Sequence, residues 1–485
     1  MVCVSRRGLK SAGASRMSSS SGGLLELVAR GKKDVFFTAN PQISFIHSVY
    51  KRSAQFTKEI YVAKSRNIPE WGRSVDFDIE HRGDLMNNIF LRIALPVWLP
   101  PTVSNLNNTS VITDASGVTY GYCNNIGFQM IDKVQFFNDN VLIHEVYGEY
   151  LDWRLRMSYD FSTTFLNNDS VGARPETPLA IARSTTRGIL RVPIPLLGWQ
   201  SLDGPGLPLA ALRGCRFRIR VHLRPYSAVL TASDGRLSPN PFNMPIYVQT
   251  SSTGAPALWP DKTLPASCMK GLDITLESTN CYFSNSVNTW LKAATLRFPF
   301  RHVQFQQYTI EDNVMNAVAN GADLSIPVKL DFSGPADRLI IGFRSDACGL
   351  AGQRNVLVPP VGLDPTYVAT MRLNIANIDR VQKWTPAVFR EVSSYWKNNR
   401  MPLSLTDNTK PDDIYVMSFG GYDNGVPCGT LSFSRAVLPT LYIVPAKAMY
   451  DTRNISRRTF VLIYAETWNV YEVQNGKGRL LFDDS

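Results

Sequence analysis

Catalysis and metal binding need side chains that converge, and the residues here able to do such chemistry are few and scattered. The five histidines, His47, His81, His144, His222 and His302, lie far apart, and none falls in an H-E-x-x-H, G-x-S-x-G or phosphate-loop pattern. Structural roles are expected for them. The seven cysteines, Cys3, Cys123, Cys215, Cys268, Cys281, Cys348 and Cys428, include no C-x-x-C pair. That spacing signals neither a zinc site nor a dense disulfide framework, so reduced thiols are expected. No cofactor, metal or catalytic residue is assigned.

Charge is more organised. Asp76, Asp78 and Glu80 alternate with Val75, Phe77 and Ile79, which puts three carboxylates on one face of a strand. Clustered oxygens could hold Ca²⁺, but the glycine-hinged loop of an EF-hand is missing, and a solvated or interface face is favoured. Arg216, Arg218, Arg220, His222 and Arg224 alternate with Phe217, Ile219, Val221 and Leu223. This basic stripe could track phosphates, yet it has no interleaved aromatic for base stacking. Arg216, Arg218, Arg220 and Arg224 are therefore candidates for an interface between subunits, and no specific nucleic acid is expected. Arg82-Gly83-Asp84 spells an integrin-type tripeptide but reads better as a turn.

The elements that must carry these residues are mostly strands. Segments 132–137 and 141–143 flank Asn138-Asp139-Asn140 and form a predicted hairpin, followed by a predicted helix over 147–157. Strand character returns at 271–276 and then at 303–305, 324–332, 338–343, 370–375, 415–419, 441–444 and 459–464. These read as two β domains, in keeping with 485 residues, 44% hydrophobic content and all-β domains of about 200–250 residues each. Gly 32 and Pro 30 add the expected wealth of turns. The expected division is a basic arm and short helix over 1–34, a first domain over 35–284 with a long loop at 225–265, a linker at 285–297, and a second domain over 298–485. A loop of that length inside a compact domain usually has a function.

At the N-terminus, Arg6, Arg7, Lys10 and Arg16 lie among serine and glycine without an acid before residue 24. They form a candidate anchoring arm with three readings: a disordered tail, a contact with another protein, or attachment to an anionic membrane. Met17 is a possible alternative start. Neither a signal peptide nor a run of about 18 apolar residues is seen, so the sequons at Asn107, Asn108, Asn168 and Asn454 are expected to be unused. The net charge of +11 speaks to association rather than to fold.

The stretch Gly22-Gly23-Leu24-Leu25-Glu26-Leu27-Val28-Ala29-Arg30-Gly31, followed by Asn40-Pro41-Gln42-Ile43-Ser44-Phe45, resembles the opening of the major capsid proteins of nucleocytoplasmic large DNA viruses. Further matches run in order through Phe56-Thr57, Trp71-Gly72, Gly83-Asp84-Leu85, 207–212, Gly429 to Arg435, and Tyr464-Ala465 with Trp468-Asn469-Val470. Ser432 replaces the family's asparagine, Ala436-Val437-Leu438 replaces its I-D-N, and the basic arm is extra.

The resemblance implies an all-β fold of two consecutive eight-stranded antiparallel jelly rolls, with a short N-terminal helix and few short helices in loops. It implies a structural protein, not an enzyme, that trimerises into pseudo-hexagonal capsomers tiling an icosahedral shell. The implied partners are other copies of itself, minor capsid proteins and, through the arm, the inner viral membrane. The implied location is the virion capsid, assembled in the host cytoplasm. Two alternatives stand beside it: a minor or vertex double jelly-roll paralogue, and a jelly-roll glycan-binding attachment protein. A sugar-active enzyme is a third class, which would place two carboxylates about 5–9.5 Å apart in a cleft.

Overall fold

The computed structural model describes residues 55–98, 111–158, 170–174, 177–185, 188–198, 206–243, 245–249, 257–263, 266–350, 352, 368–398, 414–421, 428–446 and 458–482. All lie within the compact unit Gln55–Ser485. The basic arm and short helix expected over 1–34, with Arg6, Arg7, Lys10 and Arg16, and His47 lie outside the described residues.

Sixteen strands build two sandwiches. The first has β1 (Phe56–Lys64), β2 (Ser74–Ile79), β3 (Leu85–Ala94), β4 (Ile131–Asn138), β5 (Val141–Tyr147), β6 (Ile189–Ile194), β7 (Phe217–Leu223) and β8 (Asp273–Phe283). They pair in the orders β1-β8-β3-β6 and β2-β7-β4-β5. The second has β9 (Leu296–Ile310), β10 (Ile326–Lys329), β11 (Pro335–Ser345), β12 (Val368–Ile375), β13 (Ile378–Trp384), β14 (Ile414–Ser418), β15 (Thr440–Pro445) and β16 (Thr459–Gln474). Their orders are β9-β16-β11-β14 and β10-β15-β12-β13. Adding eight to every strand number of the first sandwich reproduces the second. Every pairing is antiparallel, and this twofold order is that of a jelly roll occurring twice. The two cores show why period-two sequences choose it: Val75, Phe77 and Ile79 of β2 and Phe217, Ile219, Val221 and Leu223 of β7 all point inward.

Local chemistry closes the β4–β5 hairpin. Asp139 and Asn140 sit at φ 47° and 71°, the left-handed pair that a two-residue turn needs and that Asp and Asn tolerate. Helix α1 (Gly148–Ser158) follows β5 without a linker. A Cβ on Gly148 would lie 2.1 Å from the Ile131 carbonyl oxygen, so only glycine lets the chain turn so abruptly against β4.

Two segments differ from expectation. The 225–265 stretch is not a bare loop, because it carries strands at Leu230–Ala232, Pro245–Gln249 and Ala257–Thr263. The first pairs with Tyr120–Tyr122, and the second with both Val111–Thr113 and the third. The partners of the first two lie roughly a hundred residues upstream, so local pattern could not reveal them. Between the rolls, in the 285–297 stretch, runs helix α2 (Asn285–Ala293), and β9 begins at Leu296.

The sheet β9-β16-β11-β14 is covered on both faces. Val461, Ile463 and Ala465 of β16, Leu339, Ile341 and Phe343 of β11, and Tyr415 and Met417 of β14 fill the second roll's own core. Their alternates Leu462, Tyr464, Ile340, Ile414 and Val416 join the core that holds the first roll. The two rolls are thereby joined through a shared hydrophobic seam, which is why these strands lack polar alternation.

Candidate assembly surfaces

The seam is built around aromatic rings and buried charge. Tyr147 at the end of β5 and Tyr150 and Trp153 on α1 face the second roll. Tyr464 of β16 receives Trp153 edge-on at 5.3 Å, with Tyr150 at 5.7 Å and Phe305 stacked at 4.8 Å. The Trp153 indole lies against the backbone of β11, where a Cβ on Gly342 would sit 2.2 Å from its ring.

Beside these rings lies a buried ionic cluster. The Arg338 guanidinium donates to both oxygens of Glu466 at 2.8 and 2.9 Å, and the Tyr150 hydroxyl donates across the seam at 2.7 Å. Arg301 approaches the same carboxylate at 3.5 Å and reaches Asp337 at 3.3 Å, while Lys397 also donates to Asp337. Arg338 and Glu466 are essentially without solvent exposure. Burial by itself would raise the Glu466 pKa, but the Arg338 and Arg301 charges overcome it and hold the carboxyl well below its ordinary range. A second bridge joins Arg344 of β11 to Glu149 of α1. His144 is also interior: its Nδ1 accepts the Leu197 amide at 3.0 Å, and its ring meets Phe300 edge-on at 5.2 Å. Burial first, and then His302, push its pKa down to about 3.

The basic stripe does not form one surface. Arg220 lies opposite Asp76 in the β2–β7 register and is held by both its oxygens at 2.7 and 3.0 Å. The acidic and basic faces of the sequence thus meet on neighbouring strands. Asp78 lies 4.0 Å from Arg66 and Glu80 2.8 Å from Arg82, and no metal-holding group of three occurs among the described residues. Arg224 turns inward, donating to the Gln129 carbonyl at 2.8 Å and lying 3.4 Å from Glu149. Arg218 stacks on Phe137 at 4.9 Å, and Arg216 is exposed. These last two line an open cleft of about 810 Å³ with Arg66, Arg213 and His81.

Arg82-Gly83-Asp84 is a structural turn. Gly83 has φ 75°, and Asp84 accepts from the Phe283 amide at 2.8 Å and from Asn288 of α2 at 2.6 Å. His81 and His222 contact the Leu212 carbonyl and Gln135 respectively. Glu466 and Arg338 were missed by sequence reasoning, although an acid directly after Val461-Leu462-Ile463-Tyr464-Ala465 was a signal, since a charge in a buried strand needs a partner.

A fold of two such rolls fused along a covered sheet defines the double jelly-roll class. Its likeness to the quasi-atomic PBCV-1 virus capsid has a TM-score of 0.64 at 15% identity, covering 91% of this chain and all of that one. The profile described as "Major capsid protein N-terminus" matches residues 44–258. The major capsid protein of Paramecium bursaria Chlorella virus 1 is 24% identical over 495 residues, 95% of this chain and 99% of that protein. "Probable capsid protein 4" of Acanthamoeba polyphaga mimivirus is 27% identical over 215 residues, and that match spans only 38% of its length. In fold, in profile over residues 44–258 and in full-length sequence, the chain is similar to the major capsid proteins of nucleocytoplasmic large DNA viruses. The role that goes with this family is structural, as a component of a viral capsid.

Proposed function

We propose that three copies of this chain close into a pseudo-hexagonal capsomer, which tiles an icosahedral shell and catalyses no reaction. The observation that carries this is the repeated strand order within one compact unit of a single chain. Each chain offers two lobes of the same architecture at a fixed separation, so a closed threefold ring presents six similar lobes to its neighbours. The seam supports the fixed separation, because its aromatic and ionic contacts would all break if the rolls moved apart.

In this proposal assembly takes place in the host cytoplasm. Minor capsid proteins bind the finished capsomer, and Arg6, Arg7, Lys10 and Arg16 attach the arm to the inner membrane at about 1 kcal/mol per basic residue. The side sheet of 245–249, 257–263 and 111–113 belongs to neither sandwich and is the proposed trimer clasp. Light scattering tests the idea directly: the purified chain should have three times the 54.2 kDa mass. A monomer at all concentrations would overturn it.

A further inference from the structure

The cleft beside the β4–β5 hairpin holds more positive charge than its own acids neutralise. Four arginines, Arg66, Arg213, Arg216 and Arg218, line it against two aspartates, Asp78 and Asp139. Asp139 already accepts the Arg216 backbone amide at 2.8 Å, and Asp78 stands 4.0 Å from Arg66. Among the described residues no carboxylate lies within ion-pair distance of the Arg213 or Arg216 guanidinium. Arg218 Nε is buried without an acceptor, and a buried donor in that state lacks about 1–3 kcal/mol of compensation. One rung further along β7, Arg220 is clamped by Asp76 at 2.7 and 3.0 Å, whereas Asp78, opposite Arg218 in the same register, makes its ion contact with Arg66 instead.

Shape and spacing narrow the ligand. Arg216 and Arg218 are two residues apart on one face of an extended backbone, about 7 Å, which is also the repeat of same-side side chains in an extended peptide. Guanidinium forks suit carboxylates. Bases find no shelf here: Phe137 is covered by Arg218 and Arg220, and Phe217 is stacked on Phe136 inside the core. The volume of about 810 Å³ exceeds what one small anion would fill. The frame is rigid, since Gly214 and Cys215 before β7 are tied to the Gly476 carbonyl.

We propose that this cleft binds an extended acidic segment of another polypeptide, with alternate carboxylates on Arg216 and Arg218 and a further one on Arg213. A fluorescein-labelled Glu-Gly-Glu-Gly-Glu-Gly-Glu peptide, titrated with the full chain at 0.15 M NaCl and pH 7 and read by anisotropy, tests it. Arg213→Ala/Arg216→Ala should weaken binding at least about tenfold, the loss expected for one charge-assisted hydrogen bond or more. Lys329→Ala/Lys383→Ala, which removes the same charge elsewhere on the exposed surface, should leave binding unchanged. Equal weakening by both pairs, no binding to the parent chain, or tighter binding of tripolyphosphate or a single-stranded oligonucleotide than of the peptide would each overturn it. Mass measured on the same samples reports assembly separately, so failure of the cleft and failure of the capsomer are distinguishable.

Discussion

Glu466→Gln removes one charge and almost no volume from the seam, and its cost follows from the partners left behind. In the parent chain three buried cations, Arg301, Arg338 and Lys397, face two buried carboxylates, Asp337 and Glu466. With glutamine only Asp337 remains. Arg338 keeps one amide oxygen instead of a two-oxygen clamp, and it has no water to turn to. Breaking a buried pair from one side costs about 3–5 kcal/mol. At an m of ~3 kcal/mol/M this lowers the urea midpoint by about 1–1.7 M. The assay is urea unfolding followed by tryptophan fluorescence. The replacement Tyr150→Phe/Arg338→Met/Glu466→Leu, which removes the charges together, should cost less than Glu466→Gln alone, because buried pairs lose to well-packed apolar groups of similar volume as often as they win. A loss below about 1 kcal/mol for Glu466→Gln would refute the reasoning, since it would mean the arginines are not confined by the seam. Glu466 also sets a pH sign: its folded pKa is depressed, so its contribution is present above the unfolded carboxyl pKa and is lost as pH falls through that value towards the lower folded one.

Further outcomes are expected of the seam. His144 is neutral when folded and protonates only near pH 3, whereas in the unfolded chain it takes a proton below about pH 6.5. Stability should therefore fall with pH below about 6.5 by up to about 1.4 kcal/mol per unit on its account, and His144→Asn should remove about 2 kcal/mol of the loss between pH 6.5 and 5 in urea titrations. Equal pH slopes in the two proteins would show that His144 is not buried at the seam. Gly342→Ala places a methyl 2.2 Å from the Trp153 ring and should destabilise the chain by about 1–3 kcal/mol. The same change combined with Trp153→Phe should recover part of the loss, measured by the same unfolding curves.

Much of the fold was legible wherever one face meets solvent. β2, β7, β4 and α1 show their periods openly, and the structure places them within a residue or two of the expected bounds, while β5, expected at 141–143, runs on to Tyr147. The strands of the covered sheet were seen as strands, but not what lies on their second face. Ile340 and Ile341 look alike in sequence, yet one packs on the first roll and the other in the second roll's core. β13, Ile378–Trp384, was invisible for the opposite reason: it is exposed along almost its whole length, so burial imposes no alternation. Strands within 225–265 depend on partners supplied by residues 111–122, which local pattern does not reach.

The acidic and basic faces were each legible, but their meeting was not. Asp76 and Arg220 are 144 positions apart, and only the β2–β7 register brings them together. Four arginines of equal standing in sequence consequently divide in space. Arg220 is neutralised, Arg224 is drawn into the seam just past the end of β7, and Arg216 and Arg218 are left at the cleft. Alternation fixes which face a side chain takes, while pairing order decides whether that face still carries charge.

That division bears on assembly. A chain with net charge +11 repels its own copies, so contacts between like subunits must either be apolar or bring negative charge with them. The seam removes seven ionic groups, Arg301, Arg338, Arg344, Lys397, Glu149, Asp337 and Glu466, from any surface another copy could touch. The positive charge left exposed near β7 is concentrated in the cleft, where an acidic partner would lower the repulsion locally rather than over the whole chain. In the proposed assembly, joining of the rolls and joining of the chains thus draw on different residues. Glu466→Gln should weaken the fold without touching the cleft, and Arg213→Ala/Arg216→Ala should empty the cleft without loosening the seam.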